Sequence, residues 1–142
     1  MPVNYTIPKP TAGTSRATAP TETSIITDVS DTIADIDSRL KAVTITSQAA
    51  DYTLALADAG KHVEGTKATA QIITIPPAST VAFPVGTTIN VRQMGAGQIT
   101  LTPGAGVTLR SPRGAKTAVQ YATATLVNRA ADEWVVSGDV AV

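Results

Sequence analysis

The chain has 142 residues, with 11 Lys and Arg, 11 Asp and Glu, one His and no Cys. This length allows one ordinary domain with an appended segment and argues against two full domains. The balanced charge excludes the strongly basic surface on which binding to nucleic acid or to anionic membranes depends. The lack of Cys excludes disulfides and thiolate metal sites, and one His is too few for a His-based zinc site. We therefore expect no metal or other cofactor.

Small apolar residues dominate the hydrophobic content. Hydrophobic residues make up 43% of the chain but aromatic residues only 4%. Small side chains bury less area each, so the core is thin and we expect copies of the chain to supply burial for one another. No apolar run is long enough to span a membrane, and the first residues lack the basic and apolar regions of a secretory signal.

Residues 1–23 contain four prolines among many Thr and Ala. Proline removes backbone donors and favours extended geometry in the residue before it, so the segment is predicted to form neither a helix nor a central strand. Its alternating Val3, Tyr5 and Ile7 suit an extended arm that lays one face on a partner. A disordered tail is equally consistent with the composition.

Residues 24–43 carry a heptad pattern. Apolar residues recur at spacings of 3, 4, 3, 4 and 3, which predicts a helix with a narrow apolar seam. Ser24 or Thr23 is predicted to cap its start. The seam residues are Ile26, Val29, Ile33, Ile36, Leu40 and Val43.

The seam predicts a short coiled coil that acts as a stalk. An isolated helix of about 20 residues, rich in Thr and Asp, is marginal in water and needs a packing partner. Isoleucine at both seam positions, as at Ile33 and Ile36, favours three or more strands over two. An amphipathic helix that lies on its own domain is the alternative.

Residues 45–142 are predicted to be all-β. Short alternating runs are separated by Gly and Pro, which is typical of a small β-sandwich or barrel. We interpret residues 95–97 and 104–106 as hairpin turns, and the chain is expected to turn again at 132–133. Residues 119–128 alternate over a long stretch and predict one long strand.

Catalytic residues are scarce in this half. Asp58, His62 and Glu64 are close in sequence, but no nucleophile elbow accompanies them, so we interpret Asp58 and His62 as part of a solvated turn. The protein is expected not to be an enzyme.

Arg110, Arg113 and Lys116 form a small basic cluster in the sequence. Such a loop can bind a phosphate, a carboxylate on a glycan, or an acidic patch on a neighbouring subunit. Because no aromatic residues are interleaved with the three charges, an ordinary exposed loop is the favoured interpretation.

Seven segments of the β half form a further pattern when they are taken in order. They are residues 52–61 (YTLALADAGK), 75–77 (IPP), 81–87 (VAFPVGT), 95–100 (GAGQIT), 106–109 (GVTL), 120–122 (QYA) and 134–139 (WVVSGD). Together they resemble a β module of tailed-bacteriophage fibre and head-fibre (capsid decoration) proteins. The resemblance covers roughly residues 50–140.

The resemblance implies a virion structural protein, made in the host cytoplasm and displayed as a homotrimer on the virion surface, at the capsid, neck or tail. It supplies no catalytic residues. Combined with the pattern above, it predicts an arm (1–23) that docks on other virion proteins through Val3, Tyr5 and Ile7, a coiled-coil stalk (24–43) and a β knob (45–142).

Two alternatives stay open. One is an adhesin whose Arg110, Arg113 and Lys116 loop binds a host surface glycan, and the other is a small polysaccharide depolymerase. The depolymerase would need paired carboxylates in a cleft.

Overall fold

The computed structural model describes residues 22–142, apart from the side chains of residues 22–24 and 38–41. The chain divides into two compact units, Met1–Lys41 and Ala42–Val142. We call the second the β unit. The predicted docking residues Val3, Tyr5 and Ile7 lie outside the described residues.

One α-helix, α1, spans Glu22–Lys41. It begins before the predicted cap, so Thr23 and Ser24 lie in its first turn rather than ahead of it. It also ends two residues before Val43, which was predicted to lie on the helix. Val43 starts a run of four β-branched residues, and such residues favour extended backbone over helix.

The β unit is mainly β, as predicted. It contains eleven strands and a 3₁₀ turn at Leu56–Asp58. The strands are β1 (Ile45–Gln48), β2 (Tyr52–Thr53), β3 (His62–Gly65), β4 (Gln71–Ile75), β5 (Thr88–Gln93), β6 (Ile99–Pro103), β7 (Thr108–Arg110), β8 (Lys116–Thr117), β9 (Thr123–Ala130), β10 (Glu133–Gly138) and β11 (Val140–Ala141).

These strands form two mixed sheets. Sheet A has six strands in the order β1-β3-β5-β9-β10-β7, and sheet B has five in the order β11-β8-β6-β4-β2. From β1 to β6 the chain alternates between the sheets, so β1, β3 and β5 are parallel in sheet A and β2, β4 and β6 are parallel in sheet B.

The alternation between sheets contradicts two of the predicted hairpins. The loops at 95–97 and 104–106 carry the chain from one sheet to the other, and each joins strands that do not pair. The loop at 95–97 instead packs against the loop between β3 and β4, where the Gly97 N–H donates to the carbonyl of Lys67 at 3.1 Å. The predicted turn at 132–133 does form a hairpin, between β9 and β10.

The predicted long strand at 119–128 is shorter at its start. Strand β9 begins at Thr123, and the residues before it form a turn in which Tyr121 has a φ of 70°. Tyr121 is exposed there. Alternation of side chains alone did not distinguish this turn from the strand that follows it.

The hydrophobic core receives side chains from both sheets. Residues alternate between buried and partly exposed along β5 and β9, as expected for strands with one face on a core. Phe83 packs edge-on against Trp134, with ring centroids 5.2 Å apart. The core residues are Leu54, Val63, Ile73, Ile75, Phe83, Ile89, Val91, Ile99, Leu101, Ala124, Leu126, Trp134, Val136 and Val140.

Candidate functional site

The seam of α1 is an exposed apolar stripe. Ile26, Val29, Ile33 and Ile36 are between 50% and 66% exposed. Full burial of such a side chain is worth roughly 1.5–3 kcal/mol, so the exposed part of each leaves roughly 1 kcal/mol to be gained by contact with a partner. The side chain of Leu40 lies outside the described part of the chain.

Acidic residues of α1 lie outside the seam positions. Asp28, Asp31 and Asp35 occupy helix positions between the seam residues. The hydroxyl of Thr32 donates to the carbonyl of Asp28 at 2.7 Å. Apart from Ile25, the large apolar side chains described on α1 therefore lie in one narrow stripe with charge beside it, as in helices that associate through one face.

The predicted ligand loop is divided between the two sheets. Arg110 ends β7 in sheet A, and Lys116 begins β8 in sheet B, beside the buried Thr117. Arg113 lies on the exposed loop between them. Ligand binding by these three residues stays a prediction.

Arg110 has a structural partner in Glu133. One carboxylate oxygen of Glu133 accepts from Arg110 Nε at 2.6 Å and from Arg129 Nη1 at 2.8 Å. The hydrogen bonds from Arg110 and then Arg129 hold the pKa of Glu133 below its usual value. Since these residues belong to β7, β9 and β10, the cluster joins three adjacent strands at one border of sheet A.

The outer face of sheet A carries two rows of polar side chains that were not predicted from the sequence. In the first, which we call the His62 row, pairing aligns His62 with Asn90 and Asn90 with Thr125. Asn90 Nδ2 lies 3.5 Å from His62 Nε2, and the hydroxyl of Thr125 donates to Asn90 Oδ1 at 2.8 Å.

The second row, which we call the Arg92 row, lies on the same face, two residues further along β3 and β5. Here Glu64 aligns with Arg92, and Arg92 with Thr123. Arg92 Nε donates to Thr123 Oγ1 at 3.2 Å, and its Nη1 lies 3.9 Å from Glu64 Oε1. The two rows present partly exposed donors and acceptors on one face, an arrangement that can bind a polar ligand.

Asp58 is not part of a solvated turn, and that interpretation was wrong. It is buried, and its Oδ2 accepts from the Tyr52 hydroxyl at 2.9 Å and from the Ala55 N–H at 2.8 Å. Burial, together with the bond to Asp58, raises the pKa of Tyr52. Asp58 is thus bonded to the start of its own turn, while His62 faces Asn90, and no catalytic triad forms from Asp58, His62 and Glu64.

Metal sites and membrane-spanning helices were sought among residues 22–142. No group of three or more His, Asp or Glu side chains described there is placed to hold a metal ion. No described helix is long and apolar enough to cross a membrane. No protein-family model, curated protein or solved structure matches the chain.

Proposed function

We propose that this chain is a structural protein of a tailed-bacteriophage virion, a homotrimeric fibre or decoration protein on the capsid, neck or tail. In this proposal residues 1–23 anchor it to other virion proteins, residues 24–43 form a three-stranded coiled-coil stalk, and residues 45–142 form a sandwich-like knob. The observation that carries the proposal is the exposed apolar seam of α1.

The seam supports self-association for an energetic reason. Four apolar side chains on one face of the helix are at least half exposed. Burying the exposed part of each against a partner would contribute on the order of 1 kcal/mol to the free energy of association. A second and third copy with the same seam bury these side chains with matching spacing. The isoleucines at both seam positions favour three strands.

The β unit supports the second part of the proposal. The segments that resemble the phage module coincide with successive elements: residues 52–61 with β2 and the 3₁₀ turn, and residues 134–139 with β10 and the residue after it. The resemblance thus extends over one compact unit. The proposal assigns no catalytic activity.

Sedimentation of a seam variant tests the trimer. We expect wild-type chain at three times its monomer mass of 14.5 kDa. The double variant Ile33→Asp/Ile36→Asp is expected as monomers or loose aggregates, because about six carboxylates, two from each chain, would be buried in the seam without partners. The matched control, Thr27→Asp/Ala34→Asp, adds the same charge beside the seam and is expected to stay trimeric. A seam variant that keeps the trimer mass would assign trimerisation to the β unit instead.

Electron microscopy of labelled particles tests the virion assignment. Antibody to this chain is expected to decorate purified particles at the capsid, neck or tail. Particles that carry no label and contain no chain by mass spectrometry would reject the assignment while leaving the trimer intact.

A glycan-binding adhesin is a second candidate, and the polar rows of sheet A favour it. Asn90 and Arg92 offer planar donors and acceptors on a partly exposed face. A glycan array probed with the full chain, compared with Asn90→Ala, tests it. Equal signals from the two proteins, or none from either, would argue against this face as the binding site.

A further inference from the structure

Strand β1 is an open edge of sheet A. Among the residues that the structure describes, it pairs only with β3. The carbonyls of Thr44 and Gln48 accept from the N–H groups of His62 and Thr66, both at 2.9 Å. Because alternate residues of a parallel strand bond to the same neighbour, the N–H and C=O groups of Ile45 and Ser47 face away from β3.

This edge lacks the usual protection against pairing with another chain. Edge strands are normally short, charged, bulged or interrupted by Pro. Strands β2 and β11 have only two residues each, and β7 carries Arg110 with its ion pair and is followed by Pro112. In contrast, β1 has four residues, and residues 42–50 contain no charged residue, no Pro and no Gly.

Exposed apolar side chains lie on the same stretch. Val43 is 54% and Ile45 is 57% exposed. Together with the N–H and C=O groups of Ile45 and Ser47 that face away from β3, they make a neutral, partly apolar surface. A strongly charged partner would gain little from such a surface, whereas the same neutral surface on another copy buries the apolar side chains without leaving a charge unpaired.

We propose that β1 is an interface with a second copy of this chain, which covers Val43 and Ile45. The inference rests on the proposed trimer, since the helices bring the copies together. Only residues 42–44 separate the end of α1 at Lys41 from the start of β1 at Ile45. Four Cα steps reach at most about 14 Å, so in each copy β1 begins within that distance of the end of its own helix.

Cross-linking of the full chain tests this interface. The natural chain contains no Cys, so one introduced thiol is unique. Ser47→Cys places it on the open edge, and the matched control Ser79→Cys places it on an exposed loop between β4 and β5. With a short bismaleimide we expect Ser47→Cys to form covalent dimers, with up to two of every three chains cross-linked, and Ser79→Cys to remain monomeric on a denaturing gel.

The oligomer mass of the same samples separates failure of this inference from failure of the trimer. A Ser47→Cys protein that sediments as a trimer but cross-links no more than Ser79→Cys overturns the β1 interface and leaves the coil. A monomeric wild-type chain overturns both. Loss of the Ser47→Cys cross-link on adding Ile33→Asp/Ile36→Asp supports β1 contact that depends on the helix.

Discussion

Replacement of Trp134 by Ala is expected to remove much of the stability of the β unit. Trp134 is only 2% exposed, and Phe83 packs against its ring. A buried Trp removes about 200 Å² from water, which at about 25 cal/mol per Å² is about 5 kcal/mol, and measured Trp→Ala losses are about 3–5 kcal/mol. For a unit of this size, a loss of about 4 kcal/mol lowers Tm by roughly 20 °C.

Far-UV circular dichroism during thermal and urea unfolding measures this loss, since Trp134 is the sole Trp and its fluorescence disappears with it. The matched control is Tyr121→Ala, which truncates an exposed aromatic side chain and is expected to change the free energy of unfolding by less than about 0.5 kcal/mol. A Trp134→Ala protein within about 1 kcal/mol of wild type would refute the assignment of Trp134 to a shared core of the two sheets.

Two further substitutions test the stacking of loops and the electrostatics of sheet A. Gly97→Ala is expected to lower the urea midpoint markedly, because a Cβ there would overlap the backbone carbonyl of Thr69, and an unchanged midpoint would argue against the stacked loops. Glu133→Gln is expected to destabilise at pH 7: the pKa of Glu133 is lower in the folded chain, so its contribution is present above the ordinary Glu pKa and is lost as pH falls through the folded value. The difference from wild type should therefore vanish in acid and shrink in high salt, and a difference independent of pH would contradict the Arg110 and Arg129 pairing.

The helix and the β character could be predicted because they depend on local pattern. The 3-4 spacing from Ile26 to Leu40 is periodic in one element, and the alternation in β5 and β10 is a property of each strand by itself. The ends of α1 were predicted less accurately. The heptad pattern continues to Val43, but the β-branched Val43 and Thr44 favour extended backbone.

Strand pairing could not be predicted from the same signals. Glycines at 95–97 indicate that the chain turns, but both a hairpin and a crossover to the other sheet need a turn. The two arrangements differ in which strands pair. Strand β5 pairs with β3, as in the contact of Val63 with Val91, and these residues are 28 positions apart in the sequence. The position of Gly97 likewise depends on its hydrogen bond to Lys67, which no local sequence pattern predicts.

The polar rows and the burial of Asp58 were missed for the same reason. His62, Asn90 and Thr125 come from three strands, and they become neighbours only through the register of sheet A. In the sequence, His62 and Glu64 flank Val63, and Asn90 and Arg92 flank Val91. This pattern is compatible with a polar face on each strand, but it does not show that the two faces lie side by side. Asp58 was predicted to be solvated because it precedes Gly60 in a turn. Its partner Tyr52 lies six residues earlier on β2, and the turn signal gives no indication of this contact.

Sedimentation equilibrium of the full wild-type chain over a range of concentrations tests whether the chain associates with itself through the exposed seam. Three times 14.5 kDa, falling toward the monomer mass only on dilution, is the predicted result. A mass of 14.5 kDa at every concentration would contradict self-association through the seam.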